Sequence, residues 1–150
     1  ALGATAVIRD PGHPTGPIVV GVDGSAHSQR ALRWAAEEAR LRRTSLEVVH
    51  AWSGSYGGLL NLPIVVPLSH PEEIGHDIVT KALATTDLSG IAVHRRVIED
   101  TPAKAIEAAS AGACIVVLGS RGRGDVTAAV LGSVSRHVLH HVTAPVVIVR

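Results

Sequence analysis

The residues best suited to chemistry lie together in GSRGRGDVTAAVLGSVS, residues 119–135. Gly119, Gly122 and Gly124 follow the apolar run CIVVL, and without a Cβ they let backbone amides approach a ligand closely. Gly132 and Ser133 then open a helical pattern, SVSRHVLHH. Its first amides, at Ser133, Val134 and Ser135, and its positive dipole end suit a phosphate. Ser120, Ser133 and Ser135 add hydroxyls, while Arg121 and Arg123 either meet outer phosphates or point to water. The plainer alternative is a tight turn followed by a helix cap.

Asp23 is the second candidate. It follows the apolar run IVVG within GVDGS, where Gly21 and Val22 precede the turn. An acid at the carboxyl end of a strand can accept from ribose hydroxyls or hold a metal near phosphates. Equally, it can close an Asx turn on nearby amides.

Other chemistries lack their residues. The only lysines, Lys81 and Lys104, fall in other helical patterns, so no Walker loop exists. The glycines follow the fourth strand rather than the first, unlike the dinucleotide fingerprint. With neither that lysine nor an evident general base, fast ATPase chemistry has little support, and no catalytic residue is assigned. His137 and His141 lie one turn apart, a spacing that can bind metal, but no third ligand or HExxH accompanies them. His50 ends a strand and reads as packing, with the crevice as the alternative. Cys114 opens a buried strand and reads as inert.

The elements that must position these residues alternate. Strands are expected at 18–22, 45–51, 91–98, 114–119 and 145–150. Helices are expected from a Ser25 or Ser28 cap to about Arg43, over Pro71–Leu88, from a Thr101 cap through Pro102 to Ala111, and after Gly132. In the second helix, Ile74, Ile78, Ala82 and Leu83 are expected inward. Such βα alternation predicts an open parallel α/β sheet with helices on both faces and a ligand beyond the strands' carboxyl ends. Residues 1–17, with Pro11, Pro14 and Pro17, read as a flexible leader to a single domain, 18–150. Residues 52–70, rich in Gly, Pro and Ser, read as a long excursion able to fold over a site.

Composition agrees with a core of small and β-branched side chains. The 150 residues include 21 Val, 21 Ala, 13 Leu and 10 Ile, but 2 Trp, 1 Tyr and no Phe or Met. Base recognition by stacked rings is therefore disfavoured. The formal charge of +1 gives no field pointing to nucleic acid or an anionic membrane, and one cysteine excludes an intrachain disulfide framework. With no signal-like or membrane-length apolar run, the cytoplasm is the expected location.

The combination of IVVGVDGS with the stretch from Gly119 to Arg150 resembles the universal stress protein family, over Ile18 to Arg150. Glycine, two residues, glycine, nine residues, glycine and Ser/Thr mark that family's ATP-binding subclass. The pattern falls on Gly119, Gly122, Gly132 and Ser133. The resemblance implies five parallel strands in order 3-2-1-4-5, a Rossmann-like sheet of the adenine nucleotide alpha hydrolase type. It further implies ATP in the crevice, Asp23 by the ribose, and Val49 or Ala51 near adenine. A homodimer through strand 145–149 is also implied. Many relatives carry glycine where this chain has Asp125, an acid that would repel nucleotide, join Asp23 in holding Mg²⁺, or face solvent.

The resulting expectation is an ATP-binding stress-response sensor or regulator with at most weak ATPase activity. The alternatives are a slow Mg²⁺-dependent hydrolase or nucleotidyl transferase, and a dimeric module that has lost nucleotide.

Overall fold

A computed structural model describes residues 3–8, 13–53, 70–122 and 131–150. The element order is β1 (Ala4–Val7), β2 (Ile18–Gly21), α1 (Ala26–Arg42), β3 (Leu46–Trp52), α2 (Pro71–Ala84), β4 (Val93–Glu99), α3 (Pro102–Ala109), β5 (Ile115–Gly119), α4 (Ser133–His141) and β6 (Val146–Val149). They form one six-stranded sheet in the order β1-β6-β5-β2-β3-β4.

This corrects the expected five-stranded, all-parallel sheet. The strands from β2 onward pair in parallel, but β1 adds to β6 antiparallel, making the sheet mixed. The physical reason lies in β6, whose sequence VVIV would otherwise present an open apolar edge. Part of the segment read as a leader supplies the missing strand. Strand 145–149, expected to meet a second copy, therefore carries β1 on its outer edge.

β2 and β5 lie at the centre, paired from Ile18–Ile115 to Val20–Val117, with every one of those residues buried. Alternate side chains feed two cores. Val20, Val48 and Val117 meet Ala31, Leu32, Ala35 and Ala39 of α1 and Val79 and Leu83 of α2. Val19, Val49, Val116 and Leu118 meet Ala105, Ile106 and Ala109 of α3 and Val138 of α4 on the opposite face. Alanines let the helices sit close to the sheet, so valine suffices to fill the space between.

Local signals explain most boundaries. Ser25 caps α1, its Oγ accepting from the Ser28 amide at 3.2 Å. Gly112, with φ of +80°, takes up the left-handed turn after α3. Two details differ from expectation. Thr101 makes no side-chain cap bond; its amide instead donates to Asp100 Oδ1 at 2.7 Å. In α2 the buried stripe is Gly75, Val79, Ala82 and Leu83, leaving Ile74 and Ile78 half-buried.

Candidate functional site

The carboxyl ends of β2 and β5 adjoin, and the chain leaves them in opposite directions, to α1 on one face and α4 on the other. A crevice of about 640 Å³, counted out to open solvent, forms there. It lies where open α/β sheets place ligands, because diverging connections leave no chain to cover the gap.

From β2 come Gly21, Val22 and Asp23. Val22 still pairs with β3, donating to Val49 O at 2.9 Å, so the strand is rigid up to the acid. Asp23 is itself fixed. Its Oδ1 accepts from the Ser25 amide at 2.9 Å, and its amide donates to Ser28 Oγ at 3.3 Å. This is the Asx turn, and it holds the carboxylate at the crevice wall.

From β3 come Val49, His50 and Ala51. His50 is buried, and its Nδ1 lies 2.8 Å from Val22 O. A carbonyl can only accept, so Nδ1 carries the proton and the ring ties β3 to β2. α3 contributes Pro102 and Ile106, which with Leu118 of β5 form an apolar wall.

The loop after β5 supplies Gly119, Arg121 and Gly122, and α4 supplies Gly132, Ser133, Val134 and Ser135. Close contacts favour glycine at two of these positions, Gly119 and Gly122, but not at Gly132. A Cβ on Gly119 would lie 2.7 Å from the backbone carbon of His27, so that glycine admits the first turn of α1. A Cβ on Gly122 would lie 2.8 Å from Asp23 Oδ2. Among the described residues, a Cβ on Gly132 would come no nearer than 3.5 Å to a neighbour, an ordinary contact. Gly132 is the N-cap of α4 and makes no side-chain cap bond. The amides of the first turn thus point toward the crevice end of the helix. Ser135 Oγ donates to Gly119 O at 2.9 Å, fastening α4 to the end of β5.

Some expected contributors lie elsewhere or outside the described residues. Ser120 is buried outside the crevice lining; its amide donates to Val149 O, and its Oγ lies 3.4 Å from His27 Nδ1. Arg123, Gly124 and Asp125, together with most of loop 52–70, fall outside the described residues. Sequence reasoning missed Ser28, Pro102, Ile106 and Leu118. The spacing of Pro102 and Ile106, one helical turn apart, was the available signal, but nothing in it says which strand end that face meets.

The described lining holds one cation, Arg121, and one anion, Asp23, and both act on His27 nearby. Arg30 donates to His27 Nδ1 at 2.8 Å. Burial first, then the Arg30 and Arg121 guanidinium groups, push the His27 ring below the usual imidazole range, opposed by Asp23. Away from the crevice, His137 Nε2 donates to Glu107 Oε2 at 2.9 Å, joining α4 to α3 and holding that carboxyl below its ordinary range. His141 Nδ1 donates to His137 O, and the two rings stack 4.0 Å apart. Among the described residues no group of three or more His, Cys, Asp or Glu can hold a metal ion. In the described lining, Asp23 is the one carboxylate, so Mg²⁺ would need nucleotide phosphates and water for its other ligands.

The arrangement therefore combines an apolar wall, one positioned carboxylate and a glycine loop leading to a helix N-terminus. Its fold is that of the α/β proteins with a crevice at the switch point of the sheet. The sequence model of the universal stress protein family matches residues 14–150, and the chain belongs to that family.

A universal stress protein of Mycobacterium tuberculosis is 38% identical over 146 residues, covering 97% of this chain and 48% of its own. One from Mycolicibacterium smegmatis is 35% identical over 137 residues, covering 89% and 45%. The chain thus spans about half the length of the curated relatives it matches. Among solved structures, a universal stress protein from Lactobacillus plantarum shares the fold, with a TM-score of 0.69 at 20% identity over 91% of this chain and 98% of that one. One from Archaeoglobus fulgidus, in complex with dAMP, has a TM-score of 0.65 at 26% identity over 90% and 98%. No helix among the described residues is long and apolar enough to cross a membrane.

Proposed function

We propose that the crevice binds an adenine nucleotide, with ATP as the intended ligand, and that the protein acts as a nucleotide-dependent sensor or regulator in a stress response. The observation that carries this reading is the meeting of Asp23 with Gly122 beside the α4 N-terminus. Asp23 accepts from the ribose hydroxyls. The amides of Gly122 and of Ser133 to Ser135, with the Arg121 side chain, take the phosphates. Val49, Ala51, Ile106 and Leu118 bury the base without a stacked ring. The dAMP complex of the Archaeoglobus fulgidus relative supports a nucleotide in such a crevice. Arg123, Gly124 and Asp125 complete the loop in sequence, and Asp125 with Asp23 would be the carboxylates available to Mg²⁺.

The described lining contains no lysine, and its histidine, His50, is bound to a backbone carbonyl. This favours retention of the nucleotide over rapid turnover. Isothermal titration with ATP, AMP and cAMP tests the reading. Saturable micromolar binding, weakened by Gly122→Ala, is expected; absence of binding to all three at millimolar nucleotide would overturn it.

A further inference from the structure

His27 sits where the first turn of α1 meets the end of β5, its backbone packed against Gly119. Its ring has a fixed tautomer. Arg30 Nη2 stands 2.8 Å from Nδ1, and a guanidinium can only donate, so Nδ1 accepts and Nε2 carries the proton. Ser120 Oγ lies 3.4 Å from the same nitrogen. A second proton has one place to go, Nδ1, and there it must displace the Arg30 donor. Among the described residues, Arg30 Nε is already buried without an acceptor, so losing His27 leaves that guanidinium poorly satisfied.

The charges facing the ring also resist the second proton. Among the described residues they are Arg30 on α1, Arg121 after β5 and, with opposite sign, Asp23 in the turn after β2. Through Ser120, whose amide donates to Val149 O, the ring also neighbours the end of β6, past which Arg150 is exposed. α1 has no acid in its first turn, so its positive dipole end adds to the cations. Burial first, then the two guanidinium groups, hold the ring below its ordinary value of 6.5, opposed by Asp23. Among these groups Asp23 is the one anion.

A second anion would balance this cluster, and the crevice is where one would arrive. Arg121 belongs both to the crevice lining and to the groups acting on His27. Ser120, the ring's other neighbour, accepts from the Gly132 amide at 3.0 Å through its carbonyl, which links the ring to the N-cap of α4. Resting on the nucleotide reading above, we infer that His27 couples nucleotide binding to proton uptake. Phosphates held at Gly122 and the α4 N-terminus favour a second proton on Nδ1, which releases Arg30, and the crevice binds nucleotide more tightly in acid. The phosphate charge supplies the missing anion, offsetting Arg121 and the helix end. By reciprocity, whatever a nucleotide does to the ring's proton affinity, the proton does to nucleotide affinity. The ring's proton affinity rises on binding, which sets the sign. The gain in nucleotide affinity is absent above the liganded ring's midpoint, grows as pH falls and is complete below the free ring's midpoint.

The experiment is titration calorimetry of ATP into the full chain, free of divalent metal, at about pH 6.5 in two buffers of different ionisation enthalpy. The difference between the two heats counts the protons taken up. His27→Asn keeps an acceptor where Nδ1 stood but cannot titrate, and the protons that ATP itself exchanges cancel between the two chains. The native chain is expected to take up more protons per ATP than His27→Asn. Its affinity relative to that variant should rise about fivefold from about pH 7.5 to about pH 5.5. ATP should also raise the pH midpoint of the His27 ring, read by NMR in the native chain, a measurement that needs no variant. Equal proton counts in the two chains, or a ring midpoint that saturating ATP leaves in place or lowers, would overturn the inference while ATP still binds. Failure of ATP to bind either chain at millimolar concentration would overturn the nucleotide reading and this inference with it.

Discussion

The carboxylate of Asp23 and the Cα of Gly122 sit against one another, so close that a Cβ on Gly122 would stand 2.8 Å from Asp23 Oδ2. The turn after β2 and the start of the loop after β5 thereby meet across the crevice. Because Oδ1 already accepts from the Ser25 amide, the carboxylate cannot swing aside without losing that bond. Gly122→Ala should weaken ATP and AMP about tenfold, the scale of one charge-assisted hydrogen bond. Titration calorimetry measures this, with the unfolding midpoint expected to change little.

Asp23 has two separable tasks, a structural one through Oδ1 and a ligand-facing one. Asp23→Asn keeps an acceptor for the Ser25 amide, so its stability should stay within about 0.5 kcal/mol of the native chain. Its affinity for nucleotide should fall by about tenfold through loss of the charge. Asp23→Ala should lose affinity and also about 1 kcal/mol of stability, read from urea denaturation.

Gly119 is a packing requirement of α1. Its added methyl would meet the His27 backbone at 2.7 Å, and backbone cannot rotate away as a side chain can. Gly119→Ala should cost about 1–3 kcal/mol in urea denaturation, the range for overpacking. The same position in nucleotide-saturated protein should show the same cost if the clash lies with α1 rather than the ligand.

His27 links stability to pH. Its folded pKa lies below the ordinary value of 6.5, so the unfolded chain binds the proton more readily. The contribution to stability is complete above pH 6.5 and declines as pH falls from there through the folded pKa. His27→Gln should flatten the difference between urea midpoints at about pH 7.5 and about pH 5.5. An unchanged difference would place the acid sensitivity elsewhere.

Cys114 is buried and free, and burial raises its thiol above the usual range. It should be silent to a thiol reagent in native buffer at about pH 8 and react once when denaturant is added. Reaction in the native state would show the amino end of β5 opening.

How much was legible in the sequence follows from the range of each interaction. Ser25 as a cap, Gly112 as a turn and the runs IVVG and IVVLG as central strands are local matters of propensity and hydrophobic pattern. The glycine spacing likewise marked the loop. The reasons for the glycines were not legible, since His27 and Asp23 are distant in sequence from Gly119 and Gly122. β1 went unread because ATAV beside three prolines carries a weak strand signal. Only the apolar edge of β6 makes it a strand.

By itself, then, the sequence determined the alternation of strand and helix, the Ala/Val core and the residue types around the crevice. These depend on side chains acting on their own neighbourhood. The tertiary structure decided that the sheet has six strands with an antiparallel edge. It also placed Asp23 against Gly122, turned Ser120 toward His27 and made Pro102 and Ile106 part of the wall. Each of those outcomes depends on which surfaces meet when the sheet closes, a matter of long-range packing that no short stretch of sequence contains.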